Sequence, residues 1–132
     1  MLRAVFNVVG RNCDDHVKNI AFLMNRRGEW RLAPAFDISY AWNPSGEWTS
    51  RHQMSVNGKR DGFEREDLIA LARYADVKRV RANQMVDRVI DAVRRWPEFA
   101  EKEGIVDAPL IQRVQSPSGP SPARPAESRC RS

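Results

Sequence analysis

The sequence predicts an α+β fold, mainly helical, with one small β-hairpin. Three observations predict it. Apolar residues return every three or four positions in three separate stretches, the spacing of a helix with one buried face. Two short apolar runs flank the turn text "NRRG", the pattern of a hairpin. The chain has 132 residues, 42% apolar and 30% charged, which allows one domain with a real core and excludes wholesale disorder.

The elements follow in order. "MLRAVFNVVGRN" sets Leu2, Val5, Phe6, Val8 and Val9 near helical spacing and breaks at Gly10. Nothing ahead of it supplies an N-cap or first turn, so it reads as the end of a helix, and a longer parent is expected. After the polar octapeptide "NCDDHVKN", the runs "IAFLM" and "EWRL" form the two strands. Pro34 then forbids a helix interior and holds Ala33 extended. Ser39 to Arg60 is rich in aromatic and turn residues, with "NPSG" and "NG" as turn signals, and reads as an irregular, partly buried excursion. Helices follow from Glu64 to Ala75, burying Leu68, Leu71, Ala72 and Ala75, and from Arg79 to Trp96. In the latter, Ala82, Met85, Val86, Val89, Ile90, Val93 and Trp96 make one apolar stripe, the signature of core. Pro97 stops that helix, and "EFAEKEG" adds another turn or two up to Gly104.

From Gln115 the text changes character. The run 115–132 holds four of the eight prolines and no aliphatic residue larger than alanine, so a disordered Pro/Ser/Arg-rich tail is expected, with the look of translation in a shifted frame. The folded domain is expected over 1–114. Of the formal charge of +5, the tail carries a net +2. The rest is mixed in sign along helical turns, as in "DGFEREDLIALAR", which disfavours direct nucleic-acid binding. Cys13 and Cys130 stand far apart without zinc spacing, no run is long enough to cross a bilayer, and no signal peptide is legible. A soluble, cytoplasmic chain is expected.

The chemistry concentrates in the octapeptide. Asp14 and Asn19 stand in the pattern D-x-x-x-x-N, the spacing of a kinase catalytic loop, in which the aspartate accepts a hydroxyl proton and the asparagine holds a metal ion. The second metal ligand of such a loop follows a two-stranded hairpin, and here the hairpin leads to Asp37. Phosphoryl transfer depends on positioning and on neutralising phosphate charge, so magnesium needs hard oxygen ligands. Asn19 offers a neutral oxygen and Asp37 a charged one. Lys18 can set a positive charge near a transferring phosphate and His16 can brace the loop, against the plainer readings of a solvent-facing lysine and a packed histidine. Asp15 reads as a solvated neighbour.

"NCDDHVKNIAFL", "LAPAFDISYAWNPSG" and "MSVNGKRDGF" together resemble the C-terminal domain of the HipA-like toxin kinases, the toxin partners of bacterial type II toxin–antitoxin pairs, from about Arg3 to about Val114. The resemblance implies a partial protein-kinase-like C-terminal lobe with a small catalytic β-hairpin. It also implies phosphorylation of serine or threonine on a protein target, such as an aminoacyl-tRNA synthetase of the glutamyl-tRNA synthetase kind, with Mg2+ and ATP as cofactors. Asp14 then occupies the family's catalytic aspartate, His16, Lys18 and Asn19 its D-x-H-x-K-N loop, and Asp37 its metal-binding aspartate. The implied partner is a HipB-like helix-turn-helix antitoxin, so DNA is reached only through that partner and no membrane is involved.

The departures set the alternatives. The text contains no GxGxxG, no GxxxxGK[ST] and no N-terminal lobe, so little or no transfer is expected of the isolated chain. A lobe on its own is also expected to bare apolar surface where its partner belongs. The second reading is therefore a non-catalytic remnant or half of a split kinase, binding an antitoxin or a partner lobe. A third, a metal-dependent hydrolase using Asp14, Asp15 and His16, is disfavoured because adjacent residues of an extended loop hardly converge on one ion, and the sequence offers no second cluster unless His52 joins them. Trp42, Trp48 and His52, which follow Asp37, read first as packing anchors and second as substrate contacts.

Overall fold

The computed structural model describes residues 1–107 and residue 109. The expected tail 115–132 therefore lies outside the described residues. The helix expected at the start runs over Leu2–Val9 (α1) and buries Val5, Val8 and Val9. Its termination differs in detail from the expectation. Gly10 stays near helical geometry, and what its missing Cβ provides is room, because a Cβ there would stand 3.0 Å from the Phe6 carbonyl oxygen. The left-handed turn falls on Arg11 (φ 52), whose guanidinium lies 4.5 Å over the ring of Trp42.

The polar loop passes through a short 3-10 turn at Val17–Asn19 into the hairpin, with β1 at Phe22–Met24 and β2 at Trp30–Leu32. The strands are antiparallel and pair Phe22 with Leu32, Leu23 with Arg31 and Met24 with Trp30. Asn25 closes the turn, its side-chain oxygen accepting the Arg27 and Glu29 amides, while Gly28 takes the positive φ of 79. All six strand residues are exposed.

Beyond the excursion lie α2 (Arg65–Tyr74), α3 (Arg79–Arg94) and α4 (Trp96–Lys102). Helix α3 is the spine: α1, α2 and α4 all pack on it. Its stripe falls as expected, with Ala82, Val86, Val89 and Val93 buried and Met85 and Ile90 partly so. In α2 the inward face is Leu68, Ile69 and Ala72, whereas Ala75, past the last turn, is exposed. Trp96 opens α4 instead of closing α3, and Pro97 sits in the first turn of α4, where its missing N–H costs no helical hydrogen bond.

The architecture is thus α+β and mainly helical, with a core of Val5, Val8, Val9, Val56, Phe63, Leu68, Ile69 and the α3 stripe. Among the described residues no helix is long and apolar enough to cross a membrane.

Candidate functional site

From Cys13 to His16 burial alternates with a period of two: Cys13 and Asp15 face inward, Asp14 and His16 outward. This corrects the expectation that Asp15 is solvated. Its side chain is fully enclosed, and it accepts three hydrogen bonds from one segment: His52 Nδ1 at 2.8 Å, the Gln53 amide at 2.8 Å and the Met54 amide at 3.0 Å. The Gln53 amide also reaches the Cys13 carbonyl at 3.3 Å. His52, 4% exposed, is a packed residue whose ring meets Phe63 edge-on at 5.3 Å. It therefore takes no part in a cluster with Asp14 and His16, and Asp15, saturated by donors, has little left to offer an ion.

The outward residues form a different group. Asp14 keeps 46% of its side chain exposed, with His16 Nε2 3.8 Å from its Oδ1. His16 Nδ1, by contrast, is enclosed and has no hydrogen-bond partner among the described residues. The Asn19 side-chain amide donates to the Asp14 carbonyl at 2.9 Å. That bond uses Nδ2 and so assigns the amide carbonyl oxygen as the end left free for another partner. Lys18 is exposed, and nothing among the described residues pairs it with Asp14 or Asp37.

Asp37 is exposed and holds a left-handed backbone, φ 53. Its carbonyl accepts a hydrogen bond from Asn12 Nδ2 at 3.2 Å, and the same nitrogen reaches Asn7 Oδ1 on α1 at 3.2 Å. Asn12, 1% exposed, stands two residues before Asp14, so one buried amide ties the Asp14 loop to the backbone of Asp37. The Ala41 amide, bonded to the Arg11 carbonyl at 3.1 Å, repeats the tie four residues on. The Asp37 carboxylate has no hydrogen bond or ion pair among the described residues. Asn19 and Asp37 are thus two oxygen donors of the hard type magnesium prefers, with neither side-chain oxygen hydrogen-bonded among the described residues. Among the described residues no three His, Cys, Asp or Glu side chains gather as a metal-ion site.

Sequence reasoning missed Asn12, Asp15 and Asp67. Asp67, 3% exposed, is the N3 residue of α2 and completes a capping box with Glu64. It also accepts Asn57 Nδ2 and Lys59 Nζ, each at 2.8 Å, which clamps the "NG" turn onto the helix. Burial pushes its carboxyl up, but the bonds from Lys59, Asn57 and the Glu64 amide outweigh burial and hold it below its ordinary 3.8. The "NGK" of the excursion, followed ten residues after its asparagine by an acid in the first turn of a helix, was the available signal. Cys13 is poorly suited to act as a nucleophile, because burial pushes its thiol up to about 11.

Searches of curated proteins and of solved structures found no match. A family model for the HipA-like C-terminal domain matches residues 1–96, from α1 through the loop, the hairpin and the clamp to the end of α3. With well over half of its 132 residues so matched, the chain belongs to the family of HipA-like C-terminal domains.

Proposed function

We propose that this chain carries the catalytic loop and metal half-site of a HipA-like serine/threonine protein kinase. The observation that supports it best is the tie made by Asn12, whose side chain bonds the Asp14 loop to the Asp37 backbone although the hairpin separates them in sequence. Asp14 is the group that accepts the hydroxyl proton of the protein substrate, for which its exposure suits it. Asn19 and Asp37 hold Mg2+ through their free oxygens, and the metal supplies charge neutralisation at the phosphates of ATP. His16, beside Asp14, braces the loop, and Lys18 lends positive charge to the phosphate region. Serine or threonine of a protein such as an aminoacyl-tRNA synthetase is the acceptor, and a helix-turn-helix antitoxin of the HipB kind is the regulatory partner.

The test is a calorimetric titration of the folded chain with ATP and magnesium beside Asp37→Asn, which removes the charge yet tolerates the left-handed backbone. Magnesium-dependent ATP binding that Asp37→Asn abolishes is the expected result. Heat of binding that is unchanged in the variant, or none at all from the folded parent chain, overturns the metal assignment. Transfer by the isolated chain is expected to be slow, since its 132 residues hold no glycine-rich phosphate cover.

A second reading, a module that docks a partner lobe, has its own supporting observation. Phe22 (60% exposed), Met24 (59%) and Trp30 (67%) bare apolar surface on the hairpin next to the loop. Stable complex formation without ATP binding would favour it over the kinase half-site.

A further inference from the structure

We propose that Asp15 and His52 are positioning residues, a buried carboxylate–imidazole latch that decides which of two consecutive aspartates faces outward and thereby aims Asp14 and Asn19. The functional weight of the latch rests on the kinase reading above; its geometry does not.

Asp14 and Asp15 are the same chemical group one residue apart. In a segment whose side chains alternate, a slip of one residue would exchange them, burying Asp14 and exposing Asp15. Hydrophobic burial cannot choose between two carboxylates. The choice falls to the partners: the inward site offers three donors, His52 Nδ1 and the amides of Gln53 and Met54, all within 3.0 Å of Asp15. An ionised carboxylate only accepts hydrogen bonds, so it fits that site and His52 must carry its hydrogen on Nδ1.

The donors are themselves fixed. His52 is paired with Arg60 through its amide to the Arg60 carbonyl (3.0 Å) and through Arg60 Nε to its own carbonyl (2.6 Å). A few residues on, Val56 and Lys59 bridge across the "NG" turn, which Asp67 holds to α2. A continuous set of bonds thus runs from α2 through His52 to Asp15. On the outward side, the Asp14 carbonyl holds the Asn19 amide. Buried polar pairs are weak sources of net stability compared with apolar packing, and their better-attested use is to specify one arrangement among several. That use is the one this site presents.

The experiment follows the solvent exchange of the Asn19 side-chain amide by NMR in the full chain, in Asp15→Asn, His52→Phe and His52→Asn. His52→Phe keeps a ring against Phe63 and loses the donor, whereas His52→Asn keeps a donor near the Nδ1 position. The expected result is exchange about tenfold faster in Asp15→Asn and His52→Phe, with return towards the parent rate in His52→Asn. Backbone amides of Val86 and Val89 report whether the core stays folded. Should Asp15→Asn lose that protection, His52→Phe carries the comparison. An Asn19 amide that exchanges at the parent rate while the Gln53 and Met54 amides open overturns the proposal, because the pair would then be local packing alone. No ATP is present, so a parent chain that fails to bind ATP would remove the kinase reading and leave the latch standing.

Discussion

Two tight turns among the described residues, at Asn25–Glu29 and at Val56–Lys59, are held in opposite ways. The hairpin β1–β2 has regular pairing and a well-formed turn, yet every strand residue is exposed and its side chains are largely apolar. The turn at Val56–Lys59 has only an isolated bridge, with Asn57 and Gly58 both at positive φ, the geometry of a type I′ turn. It is nevertheless anchored twice, through buried Val56 in the core and through Asp67 beneath Asn57 and Lys59. Regular backbone pairing and attachment to the fold are therefore separate properties. The better-paired turn is the one with less holding it down.

That contrast can be broken by substitution. Leu68→Ala, at a fully buried α2 position behind the clamp, is expected to lower the unfolding free energy by about 3 kcal/mol in urea denaturation. Asp67→Ala removes the capping-box acceptor and the clamp together and is expected to cost about 2 kcal/mol, with faster amide exchange at Val56 and Lys59 and none at β1–β2. The same carboxylate gives a pH signature. Its folded-state pKa lies below 3.8, so its stabilisation is present above that value and is lost as pH falls through the folded pKa. Acid denaturation of Asp67→Asn is expected to show a shallower dependence below pH 3.8 than the parent. Smallest of all, Phe22→Ser with Trp30→Ser is expected to change stability by no more than about 0.5 kcal/mol while raising solubility. A loss there as large as that of Asp67→Ala would abolish the contrast between the two turns.

How much of this was legible depends on sequence separation. The α3 stripe from Ala82 to Val93 is read from a period that the helix itself imposes, and the "NG" turn from two residues that accept positive φ. The hairpin between Asn19 and Asp37 was legible because two short apolar runs flank a turn sequence of four residues. The fate of Asp15 was not, since it is set by His52, 37 positions away, and nothing local separates it from Asp14. Asn12 was missed for the same reason: its work is done on Asp37, 25 positions on. The helix break at Arg95 lay hidden because the apolar period continues through it to Trp96.

The left-handed backbone at Asp37 has a consequence for which substitutions this position accepts. Glycine, asparagine and aspartate are the residues that tolerate such a φ with little strain, and of these only aspartate is charged. Geometry and charge are two filters laid over one letter. When the demand for charge lapses, replacement by asparagine or glycine passes the remaining filter and the fold is kept. On the kinase reading proposed above, aspartate at position 37 satisfies both filters, whereas asparagine or glycine would keep the shape and lose the charge that a metal ion needs.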